Sequence, residues 1–441
     1  MNPQEKLLQL LSSPNEANVK LALTMAKKNP AIHLKEILQD YIELYQCLVS
    51  PRLQKNIKAK HLVTLNQPEI SAQRSHLIML PKGIGNLKHL RKLDLSDNRL
   101  TSLPDRLWSL PQLQELNLQN NQLNALSEKS GNLEQLQVLR LSGNQLTHLP
   151  ERLQNLVHLQ KLDLGSNQLT FLPESIGKLT QLQGLYLYEN QLKTLPKGLE
   201  KLTQLESLDL RYNQLTLLPI NSGNLQKLQL LSLDDNSISA LPANFCDLKN
   251  LKRVHLSYNR LTTLPENLDK LQQLKELDLG NNHLKILPEN LGNLPQLEDL
   301  NLADNQLTTL PENLGSLQNL KDLSLYCNQL TTLPSGLGRL KKLQHLSISY
   351  NQLTTLPDNI GFASQLEHLQ ARFNQIAALP ESLGALKGLK ELDLCDNELT
   401  TLPESLGKLE SLKELNITNN RLPTSEIEKI KISLPNCKIL V

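Results

Sequence analysis

The chain has 441 residues and a formal net charge of +2, with 39% hydrophobic but only 3% aromatic residues. Nine Lys/Arg against five Asp/Glu fall in residues 1 to 60, which leaves the other 381 residues at −2, too near neutrality to give an electrostatic footprint for nucleic acid. No run approaches the ~18 consecutive apolar residues of a membrane span, and the five cysteines, Cys47, Cys246, Cys327, Cys395 and Cys437, form no CxxC pair that would hold zinc or a redox disulfide.

The opening Met1 to Ser13 has a short apolar run with Glu5 ahead of it, a poor signal peptide. Residues 1 to 60 read as helical. Ser13-Pro14-Asn15-Glu16 has the form of a capping box with proline at the first helical position, ahead of the apolar set Val19, Leu21, Ala22, Leu23, Met25 and Ala26. Asn29-Pro30 ends that helix. Leu34, Leu38, Tyr41, Tyr45 and Leu48, with Ile37 and Leu44 beside them, mark one face of a second helix, which Ser50-Pro51 breaks. The one basic stripe, Arg52, Lys55, Lys58 and Lys60, is expected to be a solvated helix face, with an anionic membrane or nucleic-acid contact as the alternative.

Beyond residue 60 one unit dominates. Leu90-Arg91-Lys92-Leu93-Asp94-Leu95-Ser96-Asp97-Asn98-Arg99-Leu100 has the form LxxLxLxxNxL, and its asparagine returns every 23 residues from Asn98 to Asn420, fifteen copies without insertion or deletion. One period earlier, Ile70, Ala72, Ser75 and Leu77 fill the same positions as a degenerate first coil. The second half of each unit, such as Leu307-Thr308-Thr309-Leu310-Pro311-Glu312-Asn313-Leu314-Gly315-Ser316-Leu317, carries a proline that cannot continue a strand ladder and a glutamate suited to the start of a short helical turn. Two coils depart from the pattern, at Leu126-Ser127 with Lys129-Ser130 and at Ile220-Asn221-Ser222, and local irregularity is expected there. At the far end Leu434, Cys437 and Ile439 match the first three leucine positions of another strand one residue early. A helix from about Ser425 to Ile432 completes a C-terminal cap in which Cys437 is a buried small apolar residue.

This pattern resembles the leucine-rich-repeat family, in its intracellular 23-residue class typified by plant Ras-group-related proteins and many bacterial ones. The resemblance implies an α/β solenoid: a curved horseshoe with a parallel concave β-sheet, a helical N-terminal cap over residues 1 to 60, a degenerate coil over 61 to 89, fifteen repeats over 90 to 422 and a short helix-strand C-terminal cap over 423 to 441. It implies that the asparagines turn inward and bond the backbone of neighbouring coils. Secreted relatives close their ends with disulfide-bonded caps; none is present here, which favours a reducing, cytoplasmic setting. The family's members are protein-binding scaffolds, some of which engage small GTPases.

No HExxH, GxSxG or GxxxxGK[ST] motif occurs, so an enzyme is not expected and no cofactor is implied. Function is sought instead where the coils differ, at the positions six, four, two and one before each asparagine, which face out of the sheet. Six of the eight tyrosines fall there. They define two candidate partner-binding patches. The first holds Tyr186, Tyr188, Glu189, Asp209, Arg211, Tyr212, Asp234, Asp235, Arg253, His255 and Tyr258; the second joins Tyr326, Tyr350, Arg372 and Phe373. Tyrosine with arginine and acid is the composition of interface hot spots, whereas the plainer reading is that tyrosine suits an exposed strand. A third feature is the column Glu276, Asp299, Asp322, His345, His368, Glu391 and Glu414. Its members should stand ~4.8 Å apart, near enough for His345 and His368 to share a metal or to titrate together, but parallel side chains do not converge on a centre, and a solvated acidic stripe attractive to a basic partner is the favoured reading. The expected function is a non-enzymatic interaction scaffold that holds a protein on the concave face, in intracellular signalling. The alternative is a structural solenoid that assembles through its edges or N-terminal helices.

Overall fold

The structure, a computed structural model, describes residues 3–28, 34–53, 57–218 and 224–441. Asn29-Pro30, Lys55 and the irregular Ile220-Asn221-Ser222 lie outside them. The chain divides into two units, Met1–Asp209 and Leu210–Val441.

In the first unit four helices precede the coils: α1 Pro3–Leu11, α2 Glu16–Lys27, α3 Leu34–Leu48 and α4 Ala59–Leu65. The cap of α2 differs from the expected box. Asn15, not Ser13, is the N-cap and accepts from the Ala17 N–H at 2.8 Å, because α1 runs to Leu11 and the hydroxyl of Ser13 is taken by the Asn15 N–H and the Asn18 amide. Val19, Ala22 and Ala26 are buried while Leu21 is half in water. The basic residues form no single face: Arg52 lies in the turn after α3, while Lys58 and Lys60 open α4. Asn66 is buried and donates to the carbonyls of Leu11 and Ser13 at 2.6 and 3.1 Å, tying the end of α4 to the α1–α2 turn. Helix α3 touches the first coil, where Asp40 accepts from the Asn86 amide at 3.5 Å and the Cys47 thiol points at the Met79 carbonyl at 3.7 Å.

Seven three-residue strands follow in this unit: β1 Glu69–Ser71, β2 Lys92–Asp94, β3 Glu115–Asn117, β4 Val138–Arg140, β5 Lys161–Asp163, β6 Gly184–Tyr186 and β7 Ser207–Asp209. The second unit continues with β8 Leu230–Ser232, β9 Arg253–His255, β10 Glu276–Asp278, β11 Asp299–Asn301, β12 Asp322–Ser324, β13 His345–Ser347, β14 His368–Gln370, β15 Glu391–Asp393, β16 Glu414–Asn416 and β17 Lys438–Leu440. Within each unit neighbouring strands pair in parallel with equivalent residues opposite, as Glu276 with Asp299 and His345 with His368. The degenerate coil is a true coil, since β1 pairs with β2 in the register Ile70 to Leu93.

The leucines of each strand and turn close over a common core, and Leu300, Leu302 and Leu307 are wholly buried. The asparagine fixes the turn after the strand. Asn305 donates to the carbonyls of Leu279 in the preceding coil, Leu302 and Ala303 at 3.0, 3.2 and 3.1 Å, and its oxygen accepts from the Leu284 N–H at 3.0 Å. Buried backbone groups that a short strand leaves open are thereby satisfied. Opposite the sheet, the proline-led segments are 3-10 turns such as Glu312–Ser316, with Pro311 at φ −69°. Adjacent turns approach so closely that a Cβ on Gly315 would sit 2.1 Å from the Gly336 carbonyl oxygen. The glutamate after the proline reaches across as well as starting its own turn: Glu312 accepts from the Gly336 N–H, and Glu174 from that of Gly198 at 2.7 Å.

The Ser127 coil is regular after all. Ser127 caps the turn Glu128–Asn132 by accepting from the Lys129 N–H, replacing the missing proline, and Ser130 occupies the apolar position. At the C-terminus, α5 Thr424–Ser433 leads to β17, whose Ile439 pairs with Leu415. That register is one residue later than the 23-residue step rather than one earlier. Cys437 therefore precedes the strand at the rim and is half-buried instead of a core residue.

Candidate functional site

The residue before each asparagine has a left-handed backbone, from Asp97 at φ 56° to Asn419 at φ 55°. Glycine, asparagine and aspartate carry that conformation most cheaply, and Gly143, Asn120, Asp235, Asn281, Asp304 and Asp396 do so here. Four coils of the second unit instead place an aromatic ring there: Tyr212, Tyr258, Tyr350 and Phe373, at φ 52 to 56°. The sequence reading found these rings but not their backbone. The signal was the run of Asp, Asn, Gly and Ser at the same position.

In the second unit the aromatics of the second patch come together. The Tyr326 and Tyr350 rings meet edge to face at 5.1 Å, Tyr350 and Phe373 stack at 4.4 Å, and the Arg372 guanidinium lies 5.6 Å from the centre of the Tyr350 ring. Tyr350 and Phe373 remain 38% and 40% exposed. Ser349, which immediately precedes Tyr350, is buried, and its hydroxyl has no hydrogen-bond partner among the described residues. Tyr212 and Tyr258 are the most exposed tyrosines, at 52% and 56%.

Apart from Tyr212, Tyr258 and Arg253, the residues of the first patch are buried, half-buried or held by contacts within the chain. In the first unit the Tyr188 ring lies flat on Gly165, where an added Cβ would stand 2.2 Å from it, and its hydroxyl bonds Ser142. Tyr186 holds the Lys161 ammonium 4.8 Å from its ring centre, and Glu189 accepts from Ser166 at 2.7 Å; Asp209 is buried. In the second unit Arg211 is half-buried, Asp234 accepts from the N–H and hydroxyl of Ser257, and Asp235 is held above the usual carboxylate range by burial and by Asp234. His255 pairs with Glu276 at 3.0 Å, and Arg253 lies exposed at the rim.

The acidic column is organised around Asp299. Partial desolvation against the sheet, though the side chain still reaches solvent, and the carboxylates Asp322, Glu276 and Asp278 push it up to about 6. Asp278 rises as well, chiefly through burial, while it accepts from the Gly280 N–H and the Asn301 amide at 3.0 and 2.8 Å. His345 and His368 stack at 5.0 Å, the first paired to Asp322 and the second to Glu391 at 3.0 Å. Each imidazole thus has its own carboxylate. Among the described residues no group of three or more His, Cys, Asp or Glu is placed to hold a metal ion. A depression of ≈ 640 Å³ runs from Tyr258 past Glu276, Asp278 and Asp299 to Tyr326 and Arg372. No helix among the described residues is long and apolar enough to cross a membrane.

Comparison with known proteins bears on the pattern directly. The leucine-rich repeat region family matches residues 118–216 and 280–375, and a second leucine-rich-repeat family matches 73–123, 226–284, 249–307 and 364–422. No curated protein matches the sequence significantly. Among solved structures, a Leptospira interrogans leucine-rich-repeat protein is 40% identical over 88% of this chain and 99% of its own, with a TM-score of 0.80. YopM, a leucine-rich effector protein from Yersinia pestis, is 28% identical over 88% of this chain and 98% of its own, with a TM-score of 0.61. The ectodomain of an Arabidopsis thaliana membrane receptor kinase, solved in complex with CASPARIAN STRIP INTEGRITY FACTOR 2, is 30% identical over 82% of this chain but 51% of its own, with a TM-score of 0.61.

Proposed function

The chain belongs to the leucine-rich-repeat family, whose fold commonly mediates protein–protein interaction, and from that premise we propose that it is a binding scaffold without catalytic activity. It seats a protein partner on the exposed sheet face of residues 210–441, with Tyr326, Tyr350 and Phe373 as anchors and Tyr258 beside them. The observation that carries this reading is the ladder of stacked, half-exposed rings. Rigid aromatics with an arginine at their edge are the usual anchors of an interface, and two of these rings occupy a backbone position that favours smaller residues. The receptor ectodomain noted above, solved in complex with CASPARIAN STRIP INTEGRITY FACTOR 2, lends the reading support by analogy. Five thiols that stand free, Cys327 among them exposed, favour a cytoplasmic setting.

The Tyr188 and Tyr212 region becomes secondary, because Tyr188 is already spent on Gly165 and Ser142. The test is capture from the source cytoplasm by the wild-type chain beside Tyr350→Ala/Phe373→Ala, with the captured protein then titrated against both. The double variant should lose about 3 kcal/mol of binding, roughly a hundredfold in Kd. Equal affinity for both chains overturns the anchors and transfers attention to the N-terminal helices and the coil edges.

A further inference from the structure

We infer that the partner presents an extended, arginine- or lysine-bearing segment to the face between Tyr258 and Phe373, a proposal that rests on the interaction reading above and names the chemistry of its ligand. Four observations converge on it.

The first is charge. The outward positions of the three coils ending in Asn282, Asn305 and Asn328 carry five carboxylates, Glu276, Asp278, Asp299, Asp304 and Asp322, and no Lys or Arg. The nearby rim lysines are turned to another acid: Lys275 and Lys321 both bind Glu298, at 3.3 and 2.6 Å. Glu276 and Asp322 have only histidine partners, and no lysine or arginine among the described residues pairs with Asp278, Asp299 or Asp304. The rise of Asp299 comes first from its desolvation, and Asp322, Glu276 and Asp278 add to it.

The second is what the rings already do. Arg372 sets its guanidinium over Tyr350, so the aromatic ladder of this unit accepts a planar cation from its own chain. A ring face that attracts one cation attracts another, and Tyr258 is 56% exposed while Phe373, stacked on Tyr350, is still 40% exposed.

The third is Ser349. It holds the outward repeat position two before Asn351, beside Tyr350, is 1% exposed, and its hydroxyl has no hydrogen-bond partner among the described residues. A buried hydroxyl left unpaired costs free energy that an incoming donor removes, and guanidinium, ammonium and backbone N–H groups are all donors.

The fourth is spacing. Carboxylates on successive coils stand ~4.8 Å apart, and alternate side chains of an extended peptide repeat at ~7 Å. A segment with a cation at every second residue therefore spans the three acidic coils, about 10 Å, with two charges and continues onto the rings. An acidic wall with aromatic ends excludes a nucleic-acid backbone by the same electrostatics.

The probe is a fluorescein-labelled peptide of about ten residues alternating arginine and serine, with a glutamine-for-arginine peptide as its match, read by anisotropy on the full chain at ~0.01 M salt, where charges act over ~30 Å. Three chains are compared: wild type, Asp299→Asn/Asp322→Asn, and Glu266→Gln/Glu410→Gln, which makes the same change of charge away from this face. The arginine peptide should bind wild type and the Glu266/Glu410 variant alike, weaken at least tenfold with Asp299→Asn/Asp322→Asn, and outbind the glutamine peptide throughout. Absence of binding to wild type, equal loss in both variants, or equal binding of the two peptides overturns the cationic ligand. Those outcomes leave the anchor test untouched, because Tyr350→Ala/Phe373→Ala is read on the captured protein. Conversely, failed anchors with carboxylate-dependent peptide binding overturn only the aromatic reading.

Discussion

The ring of Tyr350 stacks on that of Phe373 at 4.4 Å and 23°, and both residues hold a left-handed backbone, at φ 56° and 52°. The stack and the strain come from the same place. The asparagine that follows each ring demands the turn, and the turn throws the side chain outward beside its equivalent in the next coil.

Tyr258 separates the two contributions, because it holds φ 54° while 56% exposed and without a ring against it. At such a position glycine is the cheaper small residue, the reverse of the usual order. Tyr258→Gly should therefore be more stable than Tyr258→Ala by about 1 kcal/mol. Urea unfolding midpoints of the two variants decide this, and a more stable alanine variant would contradict the strained backbone.

Asn305 makes four hydrogen bonds to buried backbone, three as donor and one as acceptor. Asn305→Ala leaves the Leu279 and Leu302 carbonyls and the Leu284 N–H without it, and should cost about 3 kcal/mol. Asn→Asp keeps the acceptor and loses the donors, so it should cost at least as much at neutral pH. A loss below about 1 kcal/mol by chemical denaturation would mean that water replaces the side chain.

Much of this architecture was legible because the period is strict. The strand, the inward leucines and the bonding asparagine follow from fifteen equal steps, and the parallel register agrees with them coil by coil. Where the period ends, so does the legibility: β17 lies one residue later than the 23-residue step, not one earlier, because α5 must close before the strand begins. Helices α1 and α4 carry too few turns to show an apolar stripe, and the Asn15 cap depends on where α1 stops. At the candidate site, periodicity placed Tyr326, Tyr350 and Phe373 in one row, yet it gave the same standing to Tyr188. Only coordinates reveal that Gly165 makes room for that ring to lie down.

Asp299 gives a pH-dependent signature. Its carboxyl is held up near 6, against an ordinary 3.8, by partial burial and by Asp322, Glu276 and Asp278, with His255 opposing them. The folded state therefore takes up this proton more readily than the unfolded chain, and stability falls as pH rises from about 4 to 6. Asp299→Asn removes that loss. It should raise the stability at pH 7 to 8 by on the order of 1 kcal/mol once solvent screening of this accessible group is allowed for, read as a higher thermal midpoint, and leave it unchanged below about pH 4. A gain that is the same at both ends of the range would trace to something other than charge. The same substitution weakens the proposed cationic ligand, so this residue places stability and binding in opposition.

Ser130 tests the core from the other side. It stands where neighbouring coils have Leu107 and Leu153, is 1% exposed, and its hydroxyl has no partner. The turn around it nevertheless keeps its form, because Ser127 takes the position that proline holds in neighbouring coils and adds a side-chain cap by accepting from the Lys129 N–H. The hydroxyl thus contributes desolvation cost and no hydrogen bond, and Ser130→Ala should stabilise the first unit by about 1 kcal/mol. Ser127→Ala, which removes a bonded cap instead, should destabilise it by a similar amount. Opposite signs for two serines three residues apart, read in one urea titration series, would separate a cap from an orphan. If Ser130→Ala destabilises, its hydroxyl has a partner after all, and a buried water in that coil is the first place to look.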